Sequence, residues 1–113
     1  IPPTATTAPP TPTPASLGDP AAGQQVYGSA APIACNVCHS LDGAPGLGPS
    51  FQGIAGRAGN TVSGLSAEEY IRQSTLDPIT FLVEGFSPVM PTNFAETLSA
   101  QDIDNVIAFL MTQ

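Results

Sequence analysis

The apolar residues near the C-terminus recur with the period of an amphipathic helix. They follow the i, i+3, i+4, i+7 spacing that places side chains on one helix face: Ile103, Val106, Ile107 and Leu110. The segment from Ser99 to Asp102 precedes them and resembles a capping box, in which two side chains bond to free backbone N–H groups of the first helical turn. We therefore expect a C-terminal helix whose apolar stripe packs into the core.

A second helix is predicted near the start of the folded part by the residues at its N-terminus. Asp19 is a typical N-cap, and Pro20 suits the first helical position because no N–H is needed there. We expect a helix of about ten residues from this point through Val26 and Tyr27.

The centre of the chain combines an irregular stretch with a third helix. From Gly43 to Gly64 there are seven Gly, two Pro and no sustained period, which predicts irregular chain. The segment from Ser66 to Glu69 is another capping box that opens a helix, and the Asp77–Pro78 pair ends it. These patterns together predict an all-α fold.

The first sixteen residues have a different composition from the rest. They hold six Pro, five Thr and no charged side chain, which is typical of a linker rather than a core. We therefore predict a Pro/Thr-rich linker over residues 1–16 and one folded domain over residues 17–113. The chain has no run of about 18 apolar residues, so no transmembrane segment is expected within it. A lipid or helix anchor upstream of the linker is expected instead.

The charge of the chain restricts its partners. The chain has nine acidic residues, two arginines and no lysine, which gives a formal net charge of −7. A nucleic-acid partner is excluded on these grounds, because phosphate binding requires a concentration of cationic side chains.

The segment from Cys35 to His39 carries the most specific chemistry in the chain. Cys-x-x-Cys-His is the spacing that attaches a c-type haem, with two thiols available for thioether bonds and an imidazole next to them for the iron. A zinc site would need about four ligands, and the chain has only three cysteine or histidine side chains. A thioredoxin-like dithiol motif is expected near a βαβ unit. The flanking residues are rich in Gly, Pro and Ala and show no strand pattern. A plain structural disulfide remains an alternative.

A haem iron held by one histidine needs a further ligand, and the chain has no second histidine. The two candidates are Met90 and Met111. Met111 lies at the end of the predicted C-terminal helix, where methionine is usually core filler. Met90 lies between Pro88 and Pro91, which exclude regular helix and favour a stiff extended loop. We therefore expect Met90 to be the distal ligand.

The order of these motifs resembles the class I cytochrome c family over about residues 19 to 113. It comprises Gly23-x-x-x-Tyr27, the Cys-x-x-Cys-His segment, Gly48-Pro49, Met90-Pro91 and the final amphipathic helix. Residues 70–94 are also similar to cytochrome c domains fused to subunit II of haem-copper oxidases. They are similar as well to the monohaem cytochrome subunit of alternative complex III. The resemblance implies three to five short helices around one covalently bound haem, with an extended N-terminal linker.

The resemblance also implies a role for each matching residue. Pro49 would accept a hydrogen bond from the proximal imidazole, and Arg57 would reach a haem propionate. Gly23 and Tyr27 would cross the C-terminal helix, where Phe109 is placed to meet them. His39 and Met90 would be the iron ligands. Six residues in all would contact the cofactor: Cys35, Cys38, His39, Pro49, Arg57 and Met90.

The function implied is single-electron transfer rather than enzyme catalysis. We expect a tethered or integral subunit of a respiratory or photosynthetic complex, anchored at the periplasmic or other extracytoplasmic face of a bacterial membrane. The alternative is a haem-based sensor or enzyme whose Met90 leaves the iron to admit a small ligand. The chain departs from mitochondrial-type relatives because it has no lysine ring. Its redox partners should therefore be basic, apolar, or fixed beside it in a complex.

Overall fold

The computed structural model describes residues 18–113, and the linker predicted over residues 1–16 lies outside them. These residues form five α-helices joined by turns and irregular chain, with no strand in this range. The expectation of an all-α fold is confirmed. The helices are α1 (Pro20–Ser29), α2 (Ile54–Arg57), α3 (Ala67–Leu76), α4 (Phe94–Thr97) and α5 (Ala100–Leu110), with 3₁₀ turns at Cys35–Val37 and Ala58–Asn60.

The predicted start of α1 is confirmed. The Asp19 carboxylate accepts a hydrogen bond from the backbone N–H of Ala21 at 3.0 Å. The backbone N–H of Asp19 in turn donates to the side-chain oxygen of Asn105 at 2.9 Å. The N-terminus of α1 is therefore capped locally and also fastened to α5.

Both predicted capping boxes are present. At α3, Ser66 Oγ accepts from the Glu69 N–H at 3.1 Å, and the Glu69 carboxylate accepts from the Ser66 N–H at 2.8 Å. At α5, Ser99 Oγ accepts from the Asp102 N–H at 3.0 Å, and the Asp102 carboxylate accepts from the Ser99 N–H at 3.2 Å. Helix α3 ends where expected, with Asp77 as its C-cap.

The prediction of wholly irregular chain from Gly43 to Gly64 is wrong for residues 54–60. Helix α2 and the second 3₁₀ turn occupy them. Helix α2 follows Gly53, whose φ of +74° is a left-handed conformation that glycine adopts at little cost. A four-residue helix spans about one turn, so it is too short for an apolar period to show in the sequence. Helix α4 has the same length and gave no signal for the same reason.

The core is organised around a close crossing of α1 and α5. A Cβ placed on Gly23 would lie 1.9 Å from the carbonyl oxygen of Asn105 and 2.8 Å from Cβ of Phe109. One turn later, the ring of Tyr27 packs against Phe109 with centroids 5.5 Å apart. The expected meeting of these residues is confirmed. The predicted apolar stripe is also confirmed, because each of its members is buried: Ile103, Val106, Ile107 and Leu110.

The helices in the described range are short. The longest, α5, has 11 residues. None of the helices within residues 18–113 is long and apolar enough to cross a membrane.

The crossing predicts a strong effect of a single methyl group. Gly23→Ala should lower the free energy of unfolding by about 3 kcal/mol, the upper end of overpacking effects, because the added Cβ meets backbone that cannot rotate away. Urea unfolding followed by circular dichroism measures this. The control is Gly28→Ala in the same helix, where the nearest atom to a new Cβ is 3.8 Å away. That variant should gain about 0.5–1 kcal/mol from helix propensity, and equal losses in both variants would contradict the prediction.

Candidate functional site

One cavity of about 300 Å³ brings together the chemically distinctive residues of the chain. Cys35, Cys38, His39 and Met90 all line it, although Met90 is far from the other three in sequence. The remaining lining is mostly apolar and comes chiefly from residues 47–51, from α2, α3, α4 and α5, and from the segment before Met90. A volume of this order lies in the range of small-molecule and cofactor sites.

The two cysteines are presented by a tight turn. The backbone N–H groups of Cys38 and His39 both donate to the carbonyl of Cys35, at 3.2 and 2.9 Å. Cys35 and Cys38 are free thiols, so no disulfide joins them. Burial raises the pKa of the Cys35 thiol, and the neighbouring Cys38 adds to this, against a lowering by its own backbone. Both sulfur atoms are available for thioether bonds.

The His39 imidazole is held by a backbone carbonyl. Its Nδ1 lies 2.8 Å from the carbonyl oxygen of Pro49. A carbonyl oxygen can only accept, so Nδ1 carries the proton and donates, and Nε2 keeps its lone pair. Burial lowers the pKa of His39, and the hydrogen bond to Pro49 opposes this. The neutral imidazole favoured by burial is the form that ligates a metal.

Two further residues lie against the imidazole, and the sequence did not single out either contact. The ring of Phe51 stacks on it with centroids 4.2 Å apart and planes 10° from parallel. A Cβ on Gly48 would lie 2.3 Å from Cε1 of His39 and 2.7 Å from Nδ1. Glycine at 48 therefore provides room for the ring. The only sequence signal for Phe51 is its position two residues after Pro49.

Tyr27 connects this region to the helix crossing. Its hydroxyl donates a short hydrogen bond to the backbone carbonyl of His39. Burial raises the pKa of Tyr27, with smaller contributions from Cys35 and Asp42, so the phenol stays protonated and able to donate. The backbone at His39 is thereby fastened to α1.

The two methionines occupy different places. Met90 lines the cavity on non-helical chain between Pro88 and Pro91, as the proline positions predicted. Met111 is the C-cap of α5, is partly buried, and packs against the core. It lies outside the set of described residues that line the cavity.

Arg57 ends α2 and lines the cavity. Its two terminal nitrogens donate short hydrogen bonds to the backbone carbonyls of Gln52 and Ser50. A guanidinium has five N–H groups, so three remain after these contacts. Among the described residues of the lining, Arg57 is the one that carries a formal charge at neutral pH, and none of the nine carboxylates belongs to it.

Comparison with known proteins agrees with this arrangement. The family model described as Cytochrome c matches residues 20–113. The chain is also 30% identical over 102 residues to a curated protein of Rhodobacter capsulatus named Cytochrome c-type cyt cy. The alignment covers 84% of this chain and 49% of that relative, so the chain spans about half the relative's length.

Members of this family carry covalent haem c and transfer electrons, and in bacteria such domains are typically extracytoplasmic. The free thiols, the neutral imidazole and the apolar cavity fit that cofactor. The chain therefore belongs to the cytochrome c family, as a class I c-type cytochrome with one covalently bound haem c.

Proposed function

We propose that this cytochrome is a single-electron carrier whose haem iron is ligated by His39 on one side and by Met90 on the other. The observation that carries the proposal is one apolar cavity lined by both cysteines, the imidazole and a thioether. Bound haem supplies an iron centre that changes by one electron between Fe(II) and Fe(III).

The proximal side is supported by the contact between His39 and Pro49. The carbonyl fixes the tautomer in which Nε2 is the free nitrogen, and a hydrogen bond at Nδ1 makes the imidazole a more basic ligand. Cys35 and Cys38 would form the two thioether bonds to the porphyrin.

The distal side is supported by the place of Met90 in the cavity. Pro88 and Pro91 restrict the backbone on either side, so the thioether is held without a helix. A methionine ligand stabilises the ferrous state and raises the reduction potential. Of the charged groups, Arg57 is the candidate for a haem propionate, because it lines the cavity and retains three N–H groups for a charge-assisted bond.

Partner recognition is proposed to use apolar contact. Several large apolar side chains that line the cavity are also strongly exposed: Leu47 at 64%, Ile79 at 60% and Val89 at 56%. The carboxylates lie outside the lining, and the chain has no lysine ring to attract an acidic partner. This composition suits a redox partner with an apolar or basic contact surface, or one held beside the domain within a complex.

Tethering by the N-terminal segment completes the proposal. Residues 1–16 have linker composition, and in polyproline II form they would span up to roughly 50 Å at about 3.1 Å per residue. The domain is proposed to be anchored at the extracytoplasmic face of a bacterial membrane as a subunit of a respiratory or photosynthetic complex. The resemblance to oxidase-fused domains and to the alternative complex III subunit stays a prediction within that proposal.

The ligand assignment predicts opposite results for the two methionines. Met90→Ala should give a high-spin or water-ligated iron and a lower reduction potential, because the thioether that favours Fe(II) is lost. Met111→Ala should keep the spectrum and lose about 1–2 kcal/mol of stability, since it is only partly buried. Absorption spectra and potentiometric titration decide between them. A spectral change in Met111→Ala alone would contradict the assignment, and CO binding by the ferrous wild type at neutral pH would favour the sensor alternative.

The space at Gly48 predicts a second effect on the iron site. Gly48→Ala should displace the imidazole and weaken its bond to Pro49, because the added Cβ would meet three ring atoms within 2.9 Å. We expect a perturbed low-spin absorption spectrum and a loss of about 1–3 kcal/mol. The control is Gly56→Ala, where nothing lies within 4 Å of the new Cβ. A wild-type spectrum in fully loaded Gly48→Ala would show that the ring has no such constraint.

The tether is tested by truncation in the native membrane. A form that begins at residue 17 should keep the wild-type spectrum and potential, because the haem-binding residues all lie later in the chain. The same form should be lost from washed membranes, as measured by haem staining of the membrane and supernatant fractions. Full retention on the membrane after a high-salt wash would exclude a tethering role for residues 1–16.

A further inference from the structure

The geometry points to Phe51 as a positioning residue for the proximal imidazole. Its ring face sets the orientation of the His39 imidazole plane, whose Nε2 would hold the haem iron. This inference rests on the proposed ligation by His39 and adds a residue that the sequence pattern does not assign.

The first observation is the stack itself. The Phe51 and His39 rings lie 4.2 Å apart between centroids, with planes only 10° from parallel. Aromatic rings in protein cores usually meet in offset or edge-on arrangements at 4.5–7 Å. A contact this close and this parallel restrains the plane of the imidazole as well as its position.

The second observation is that the other restraint on the ring acts on one atom. The bond from Nδ1 to Pro49 fixes that nitrogen, but hydrogen bonds tolerate deviations of about 30° from linearity. Rotation of the imidazole within this tolerance would drive its edge into the face of Phe51. The stack therefore supplies the angular precision that the hydrogen bond lacks.

The third observation is that Phe51 is itself held in place. Its backbone N–H donates to the carbonyl of Ser40, the residue after His39, at 2.7 Å. On another side its ring meets Tyr27, with centroids 6.1 Å apart. Tyr27 packs on Phe109 and donates to the His39 carbonyl. Phe51 thus transmits the rigidity of the α1–α5 crossing to the imidazole plane.

If Phe51 only filled space, its aromatic ring would not be required. A branched aliphatic side chain of similar volume would fill the same space, but it has no flat face to lie parallel to an imidazole. Filling space affects stability alone, whereas positioning affects the electronic structure of the ferric iron. In the haem-loaded protein the orientation of the imidazole plane would contribute, together with that of the methionine ligand, to the distribution of unpaired spin over the four haem methyl groups.

The test compares Phe51→Leu with Phe51→Tyr in the haem-loaded protein. Proton NMR of the ferric form gives the hyperfine shifts of the haem methyl groups. We expect the order or spread of these shifts to change in Phe51→Leu and to stay as in the wild type in Phe51→Tyr, which keeps the ring. If Phe51→Leu does not load haem, Phe51→Met replaces it, since a flexible side chain fills the space without a flat face.

The matched control is Ile103→Val. Ile103 is buried in the core, but it lies outside the residues that line the cavity and outside the ring contacts of Phe51 and Tyr27. This variant should lower the melting temperature and leave the methyl shifts unchanged. Unchanged shifts in both Phe51→Leu and Phe51→Met, with lowered melting temperatures, would overturn the inference and leave Phe51 as packing. A wild-type spectrum without the signals of a low-spin histidine–methionine iron would instead overturn the proposed ligation.

Discussion

The contact of α1 with α5 at Gly23 is the constraint on which the rest of the molecule depends. The two backbones meet so closely that a methyl group at position 23 would overlap the carbonyl of Asn105. This approach brings Tyr27 against Phe109, and it lets the Tyr27 hydroxyl reach the carbonyl of His39. A helix crossing, whose strength comes from apolar burial, thereby determines where the backbone at His39 lies.

The two walls of the cavity are stabilised differently. On the side of His39, the loop after Cys38 is closed by hydrogen bonds between distant positions: Gly48 N–H donates to the Cys38 carbonyl at 3.0 Å, and Phe51 N–H to the Ser40 carbonyl at 2.7 Å. In the segment from residue 79 to Met90, the described backbone bonds join residues two or three apart. That segment also exposes large apolar side chains. Its order must rely more on its prolines and on burial against the covalently attached cofactor, which stabilises the folded state through the apolar area that it covers.

The parts of this structure that the sequence could predict are those governed by local rules. Three helices were predictable because capping residues and an apolar period act within one or two turns. The turn that brings Cys35, Cys38 and His39 together was predictable because these residues are adjacent in the chain. Helices α2 and α4 were not predictable, since a four-residue helix is too short to show an apolar period. The stack of Phe51 on His39 and the fit of Gly48 were also missed, because they arise from the way a loop closes rather than from any spacing.

The exposed carboxylates and the apolar lining of the cavity affect the oxidation state of the iron over different distances. Six of the nine carboxylates are exposed, Asp104 pairs with Arg72 at 2.5 Å, and Asp102 caps α5. Exposed charges favour the ferric state only weakly, because water and salt screen them over a Debye length of roughly 10 Å at 0.1 M. The apolar lining adjoins the cofactor directly and disfavours the extra positive charge of the oxidised iron. The effect of the apolar lining is close to the iron and poorly screened, so it should dominate. A net charge of −7 is therefore compatible with the raised potential that the proposed methionine ligation would give.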